Sequence, residues 1–217
     1  METVNMIAVL GGSFNPPTSA HLILLEHVMD HTGATRGLFV PSSHTYVARK
    51  AQKQSSPFLF TEQERLDMLL AMVDGKDGLD IDTCEYGDTS RGRTYETLCC
   101  IQERNPGHDV CFVTGADKLG IIPRWKSAEA LLSRFHLAVL SRDDIDAKAA
   151  IRANPLLRAH ESTIHVVPGL PGIERISSSR FQRQLAAGDP QAAHLVVPAV
   201  MELVEQAVAR REKSRGR

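Results

Sequence analysis

The chain of 217 residues has four cysteines, Cys84, Cys99, Cys100 and Cys111, with no C-x-x-C pair among them. That argues against a disulfide-stapled scaffold or a redox motif and for reduced, buried thiols. His108 and Cys111 are spaced like two metal ligands, but nothing supplies the other two that a zinc site needs. Net charge is −1, so no overall field draws the chain to nucleic acid or to a membrane surface, and local basic groups must hold any phosphate. No apolar run approaches the ~20 residues of a membrane span. The opening METVNM lacks the basic region and long apolar core of a leader, so the expectation is cytoplasmic, with no membrane or nucleic-acid partner. Internal repeats and low-complexity segments are lacking. So are G-x-x-x-x-G-K-S/T and G-x-G-x-x-G, which removes a Walker loop and counts against a nicotinamide-dependent oxidoreductase.

What is present is length for a full core, most economically one domain over residues 1–217, and one stretch around which the rest can be placed. Residues 6–10 (MIAVL) form a short apolar run of the buried parallel-strand kind. Gly11 and Gly12 end it, free to adopt backbone angles closed to other residues. Ser13, Phe14, Asn15, Pro16 and Pro17 follow, and Thr18 or Ser19 can cap a helix running through His21 to about His31. A strand, a glycine turn and a helix start gather unpaired N–H groups and a positive dipole end, which suits an anion. His21 and Thr18 would both face it. On the two glycines alone, the stretch could equally be a tight structural turn.

A second candidate anion site lies far along the chain, at Ile176, Ser177, Ser178, Ser179, Arg180, Phe181, Gln182 and Arg183. The serines can cap a helix over about 179–187, stopped by Gly188-Asp189-Pro190. Arg180 and Arg183 are three apart and share a face, where planar guanidinium donors could hold polyphosphate oxygens.

Between these sites, strands are expected at 37–41, 79–84, 110–114, 137–141 and 163–167, each a short apolar or alternating run. Helices are expected at 61–73, with Leu66, Leu69, Leu70 and Met72 inward, and at 94–104, 118–122, 128–133 and 145–153. Residues 42–58 are polar without clear period and read as a loop, of a length often found in functional lids. Residues 87–93 read as a turn. The apolar period of residues 192–211 is broken at Pro198, giving two helices or a kink. The basic tail, 210–217, reads as solvated and frayed. Gly115 and Asp117 fall at the carboxyl end of a central strand, where open parallel sheets bind ligands, so Asp117 is a candidate for ribose hydroxyls or a magnesium-bound phosphate. Its alternative role is capping the helix that follows. Trp125 could stack on an aromatic ring or simply pack.

The early and late stretches together resemble the nucleotidyltransferase superfamily marked by an (H/T)-x-G-H motif and an I-S-S-T-x-x-R motif. Here they read Thr18-Ser19-Ala20-His21 and Ile176-Ser177-Ser178-Ser179. Within it the chain is most similar to the nicotinate or nicotinamide mononucleotide adenylyltransferases. Thr94-Tyr95-Glu96-Thr97-Leu98 resembles the family's T-x-D-T-L, FVTGADKL at 112–119 its strand plus G-A-D-x-L, and LAVLSR at 137–142 its strand before an arginine.

The resemblance implies a doubly wound Rossmann-like α/β fold with a mainly parallel sheet. It implies transfer of AMP from ATP to the 5′-phosphate of a pyridine mononucleotide, with release of pyrophosphate. Catalysis would fall to His21, Thr18, Arg180 and Arg183. ATP would be held by Gly11, Gly12, Ser13, Phe14, Gly115, Asp117, Ile176, Ser177, Ser178 and Ser179, and the mononucleotide by Lys50, Thr94, Trp125 and Arg142. Magnesium would arrive with ATP and take few protein ligands. A homo-oligomer stays open, as do a related enzyme acting on another phosphomonoester and a nucleotide-binding homologue without catalysis.

Five positions depart from the commonest family pattern: Asn15 for Asp, Thr18 for His, Ala20 for Gly, Arg93 for Tyr, and Gln182 for the late Arg.

Overall fold

A computed structural model describes residues 5–87, 93–141 and 145–215, with side chains through Lys213. Its centre is a six-stranded sheet in the order β3-β2-β1-β4-β5-β6, every neighbouring pair parallel. The strands are β1 (Met6–Gly12), β2 (Arg36–Pro41), β3 (Leu79–Ile81), β4 (Asp109–Gly115), β5 (His136–Leu140) and β6 (Ile164–Val167). Order reverses between β1 and β4, and that switch point opens a crevice at the strand carboxyl ends.

Alternation along the strands explains why both faces are covered. Met6 and Ala8 of β1 join one apolar cluster, while Ile7 and Val9 join the other. The first cluster includes Leu25 of α1 (Ser19–Thr32), Met68 and Leu69 of α3 (Glu62–Val73), Phe181 of α8 (Ser178–Ala186) and Val204 of α9 (Pro198–Arg215). The second includes Leu98 and Ile101 of α4 (Thr94–Arg104), Leu131 of α5 (Ala128–Arg134), Ile151 of α6 (Ala147–Ala153) and Leu157 of α7 (Pro155–Ala159).

Several expectations need correction. Residues 44–53 of the expected loop form a helix, α2 (His44–Lys53), anchored by buried Val47 and Ala51 one turn apart. Two apolar positions are too few to give a readable period. In α3, Leu70 is 49% exposed and Leu66 half-buried, and Arg65 and Met68 join Leu69 and Met72 on the buried face. The expected strand over 79–84 stops at Ile81, and Asp82 then accepts from the N–H of Cys84. Residues 118–122 are not a helix but run from the last residue of one short 3-10 turn, Ala116–Lys118, to the first of another, Ile122–Arg124.

Pro198 does separate two segments, a 3-10 stretch at Pro190–Leu195 and α9, which it opens. The basic tail is not simply solvated where it begins: Arg211 Nη2 donates to Glu64 Oε2 at 2.5 Å and Leu59 O at 3.1 Å, with its guanidinium 5.1 Å from the Phe60 ring centre. Cys84 and Cys111 are buried, Cys99 and Cys100 half-buried, and none of the four is in a disulfide. Of the expected turn over 87–93, residues 88–92 lie outside the described residues. Among the described residues no helix is long and apolar enough to cross a membrane.

Candidate active site

β1 does not stop at Leu10; Gly11 and Gly12 are its last two residues, pairing with Val40 and Pro41 of β2. Their value is therefore space rather than unusual backbone angles. A Cβ on Gly12 would lie 3.0 to 3.3 Å from three atoms of the Phe14 ring, which is buried beneath it. The left-handed position belongs to Phe14 itself, at φ 41°. Its ring packs edge-on to Phe39 and to His21, with centroids 5.7 and 5.0 Å away.

His21 sits one turn into α1, and its orientation comes from Thr18. The Thr18 backbone N–H donates to His21 Nδ1 at 2.9 Å, and Thr18 Oγ1 lies 2.8 Å from the same nitrogen. A backbone N–H can only donate, so Nδ1 is unprotonated and Nε2 carries the hydrogen. Burial, and then the nearby Lys50 charge, push the His21 pKa down to about 4. The ring is neutral at pH 7, with Nε2–H left as its donor. Thr18 is fully buried and does not line the cleft, so it holds His21 rather than facing an anion.

The loop after β1 is tied from three directions. Arg65, 0% exposed, donates from Nη1 to Ser13 O at 2.8 Å and from Nη2 to Ser42 O at 2.7 Å. The guanidinium fork thus joins the ends of β1 and β2, and it lies 5.6 Å from the Tyr86 ring centre. Asn15 donates from Nδ2 to Phe58 O and accepts at Oδ1 from Phe60 N–H, both at 2.9 Å. From α8, Ser178 Oγ donates to Pro16 O at 2.8 Å. Gln182 donates from Nε2 to Asn15 O at 2.5 Å and accepts from Phe58 N–H at 3.2 Å.

Together these walls enclose a cleft of about 990 Å³ at the carboxyl ends of β1 and β4. It brings together most of the expected positions: Gly11, Gly12, Ser13, Phe14, His21, Lys50, Gly115, Asp117, Trp125, Ile176, Ser177, Ser178 and Ser179 all line it. Ser177 caps α8, accepting from Arg180 N–H at 3.2 Å. Lys50 Nζ donates to Ser13 Oγ at 3.2 Å, and burial first, with Lys118 second, holds its pKa below the usual lysine range. Asp117 pairs with Lys118 Nζ at 2.7 Å. Trp125 meets the Phe112 ring edge-on at 6.2 Å.

Thr94 lines an adjoining space of about 220 Å³, with Glu85, Thr97 and Tyr46. Glu85 accepts from Thr97 Oγ1 at 2.9 Å, and burial raises its pKa.

Besides Thr18 and Thr94, two further expected positions do not line the cleft, and one more lies outside the described residues. Arg180 donates from Nη1 to Arg175 O at 3.2 Å, Arg183 is exposed, and neither lines the cleft. Gln182 is the α8 side chain beyond the serines that does. Arg142 lies outside the described residues.

Sequence reasoning missed Arg65, Lys118 and the clamp made by Gln182 and Asn15. Arg65 left a signal, a charge on the same helical stripe as Met68, Leu69 and Met72. Gln182 left one too, as an uncharged residue where the resemblance calls for arginine.

Among the described residues the carboxylates that line the cleft are Asp117 and Glu174, and no three His, Cys, Asp or Glu side chains cluster as a metal site. Such a donor set fits a magnesium ion held chiefly by phosphate oxygens and water, not a protein cage.

The cytidylyltransferase-like family model matches residues 9–184, most of the chain. A probable nicotinate-nucleotide adenylyltransferase of Rhodopirellula baltica is 31% identical over 188 residues, 84% of this chain and 83% of that protein. Its counterpart in Rubrobacter xylanophilus is 31% identical over 140 residues, 64% of this chain but only 63% of that relative. The chain thus spans less than two thirds of that relative's length. Among solved structures, the nicotinic acid mononucleotide adenylyltransferase of Plasmodium falciparum complexed with APC superimposes with a TM-score of 0.68 at 18% identity, over 94% of this chain and 96% of that one. That likeness carries the doubly wound fold. With the family match over residues 9–184 and the Rhodopirellula relative, the comparison is decisive: the chain belongs to the cytidylyltransferase-like family.

Proposed function

We propose that the protein transfers AMP from ATP to the 5′-phosphate of nicotinate mononucleotide, releasing pyrophosphate, a step in making NAD. One observation carries the reading. The serine motif and the histidine motif, far apart in sequence, meet on one cleft at the sheet's switch point, joined by the Ser178–Pro16 hydrogen bond. The relatives' names supply the substrate class.

A mononucleotide phosphate oxygen attacks the α-phosphorus of ATP; the new P–O bond forms as the bond to the β-phosphate oxygen breaks. The nucleophile is already an anion at neutral pH, so no general base is needed, and the work is positioning and stabilising charge. In this reading His21 Nε2–H donates to an α-phosphate oxygen, with Thr18 fixing the ring. Ser177, Ser178 and Ser179 face the departing phosphates. Lys50 neutralises phosphate charge, Asp117 meets ribose hydroxyls, and Trp125 and Thr94 receive the pyridine nucleotide. Magnesium, carried by the phosphates, would neutralise further charge on them. Loss of one such donor costs on the order of 10²–10³ in rate.

The test is product analysis. Incubated with ATP, Mg²⁺ and nicotinate mononucleotide, the protein should form the nicotinate adenine dinucleotide, seen by chromatography and mass. Nicotinamide mononucleotide and phosphopantetheine run in parallel. Product only from phosphopantetheine would reassign the substrate, and no product from any of the three would defeat the reading.

A further inference from the structure

We propose that Lys118 acts with Lys50 as a phosphate-holding pair, supplying the positive charge that position 182 does not bring. The proposal rests on the adenylyl-transfer reading. It starts from Gln182, which is 2% exposed and has both ends of its amide engaged, on Asn15 O and Phe58 N–H. The helix that carries the serine motif therefore offers the cleft hydroxyls and no cation. Arg180 is turned back on the Arg175 carbonyl, and Arg183 stands outside.

Among the described residues that line the cleft, the lysines and arginines are Lys50 and Lys118. His21 adds a dipole but no charge at neutral pH. Yet the reaction brings a triphosphate and a phosphate monoester into one cleft, and their mutual repulsion must be offset by fixed positive charge.

The two lysines reach the same region from different elements. Lys50 projects from α2 and donates to Ser13 Oγ just beyond β1. Lys118 follows β4, the parallel neighbour of β1 in which Phe112 stands opposite Val9. Both side chains line the cleft, and the Lys118 charge adds to burial in holding the Lys50 pKa below the usual lysine range. An anion bound between them would be attracted by both charges.

The position of Lys118 is also built. A Cβ at residue 115 would lie only 2.4 Å from Asp117 Oδ1, so Gly115 makes room for that carboxylate. The other oxygen, Asp117 Oδ2, holds Lys118 Nζ at 2.7 Å.

Two phosphate sources share this chemistry, the ATP polyphosphate and the mononucleotide phosphate, and binding separates them. Calorimetry with Mg·ATP, inorganic pyrophosphate and nicotinate mononucleotide would be run separately on the wild type, Lys118→Met and Lys118→Arg. The Lys118 side chain is 47% exposed, so the variants should fold, which thermal unfolding checks. Lys118→Met should weaken at least one ligand about tenfold, the scale of one charge-assisted hydrogen bond, with recovery in Lys118→Arg. Weakened ATP and pyrophosphate would assign the pair to the leaving group, and weakened mononucleotide to the attacking phosphate. Affinities all within twofold of wild type would overturn the proposal. So would full recovery in Asp117→Asn/Lys118→Met, because the loss would then be the repulsion of an unpaired carboxylate. A wild type that binds these ligands without turnover would sink the adenylyl-transfer reading, while the binding comparison would still decide the lysine pair.

Discussion

The Thr18 backbone N–H and the His21 ring are joined at Nδ1 across 2.9 Å, and this bond sets which ring nitrogen can serve a substrate. Burial of the same ring, with the nearby Lys50 charge, sets a pH dependence. His21 has a pKa of about 4 in the folded chain against 6.5 for an ordinary histidine, so folding favours the neutral ring.

That contribution to stability is fully present above pH 6.5 and is lost as pH falls through about 4. Its size is about 3 kcal/mol. Denaturant unfolding of wild type and His21→Gln from pH 7 to pH 4 should show the wild type losing more stability over the range, by roughly this amount. Parallel curves would mean that the ring is not held neutral.

Gln182 is predicted to matter as a clamp. Gln182→Ala leaves Asn15 O and Phe58 N–H without their partner and should cost about 2–4 kcal/mol in urea unfolding. Loosening the contact between α8 and the Asn15 loop should also lower turnover. Arg183→Ala, one residue away but exposed, should leave both within error.

Arg65 bridges two carbonyls, Ser13 O and Ser42 O, with two arms of one planar group. Arg65→Lys cannot span them and should fail to restore stability lost in Arg65→Met, a loss of about 2–4 kcal/mol. Urea midpoints of the three proteins check this; a lysine variant as stable as wild type would contradict it.

The paired glycines should separate by crowding. A methyl at Gly12 presses on the Phe14 ring at 3.0 Å, whereas at Gly11 it makes an ordinary 3.8 Å contact with Phe112. Gly12→Ala should therefore destabilise by about 1–3 kcal/mol, and Gly11→Ala should not. Thermal unfolding distinguishes them.

Much of this was legible in the chain. The strands from Met6, Arg36, Asp109, His136 and Ile164 announced themselves as apolar runs, because strands buried on both faces have no polar side to show. Thr61 followed three residues later by Glu64 is a capping-box pattern, and the structure has both bonds, at 3.1 and 2.9 Å. The histidine and serine motifs were readable as anion sites because helix starts and hydroxyls have a local signature. What stayed hidden was non-local. Nothing in the sequence around Gln182 says that its amide reaches Asn15, 167 residues away. Thr18 looked like an anion donor because spacing shows that two residues are near each other, not which of them is buried. The helix over 44–53 was missed since only Val47 and Ala51 are buried, and the rest of it is mostly polar.

The most direct test of the central claim is the initial rate of pyrophosphate release from ATP, Mg²⁺ and nicotinate mononucleotide, in wild type and in His21→Ala. The account predicts turnover by the wild type and a loss of about 10²–10³ in kcat on removing the Nε2–H donor. A His21→Ala protein that turns over at the wild-type rate would contradict the assigned site, and a silent wild type would contradict the assigned reaction.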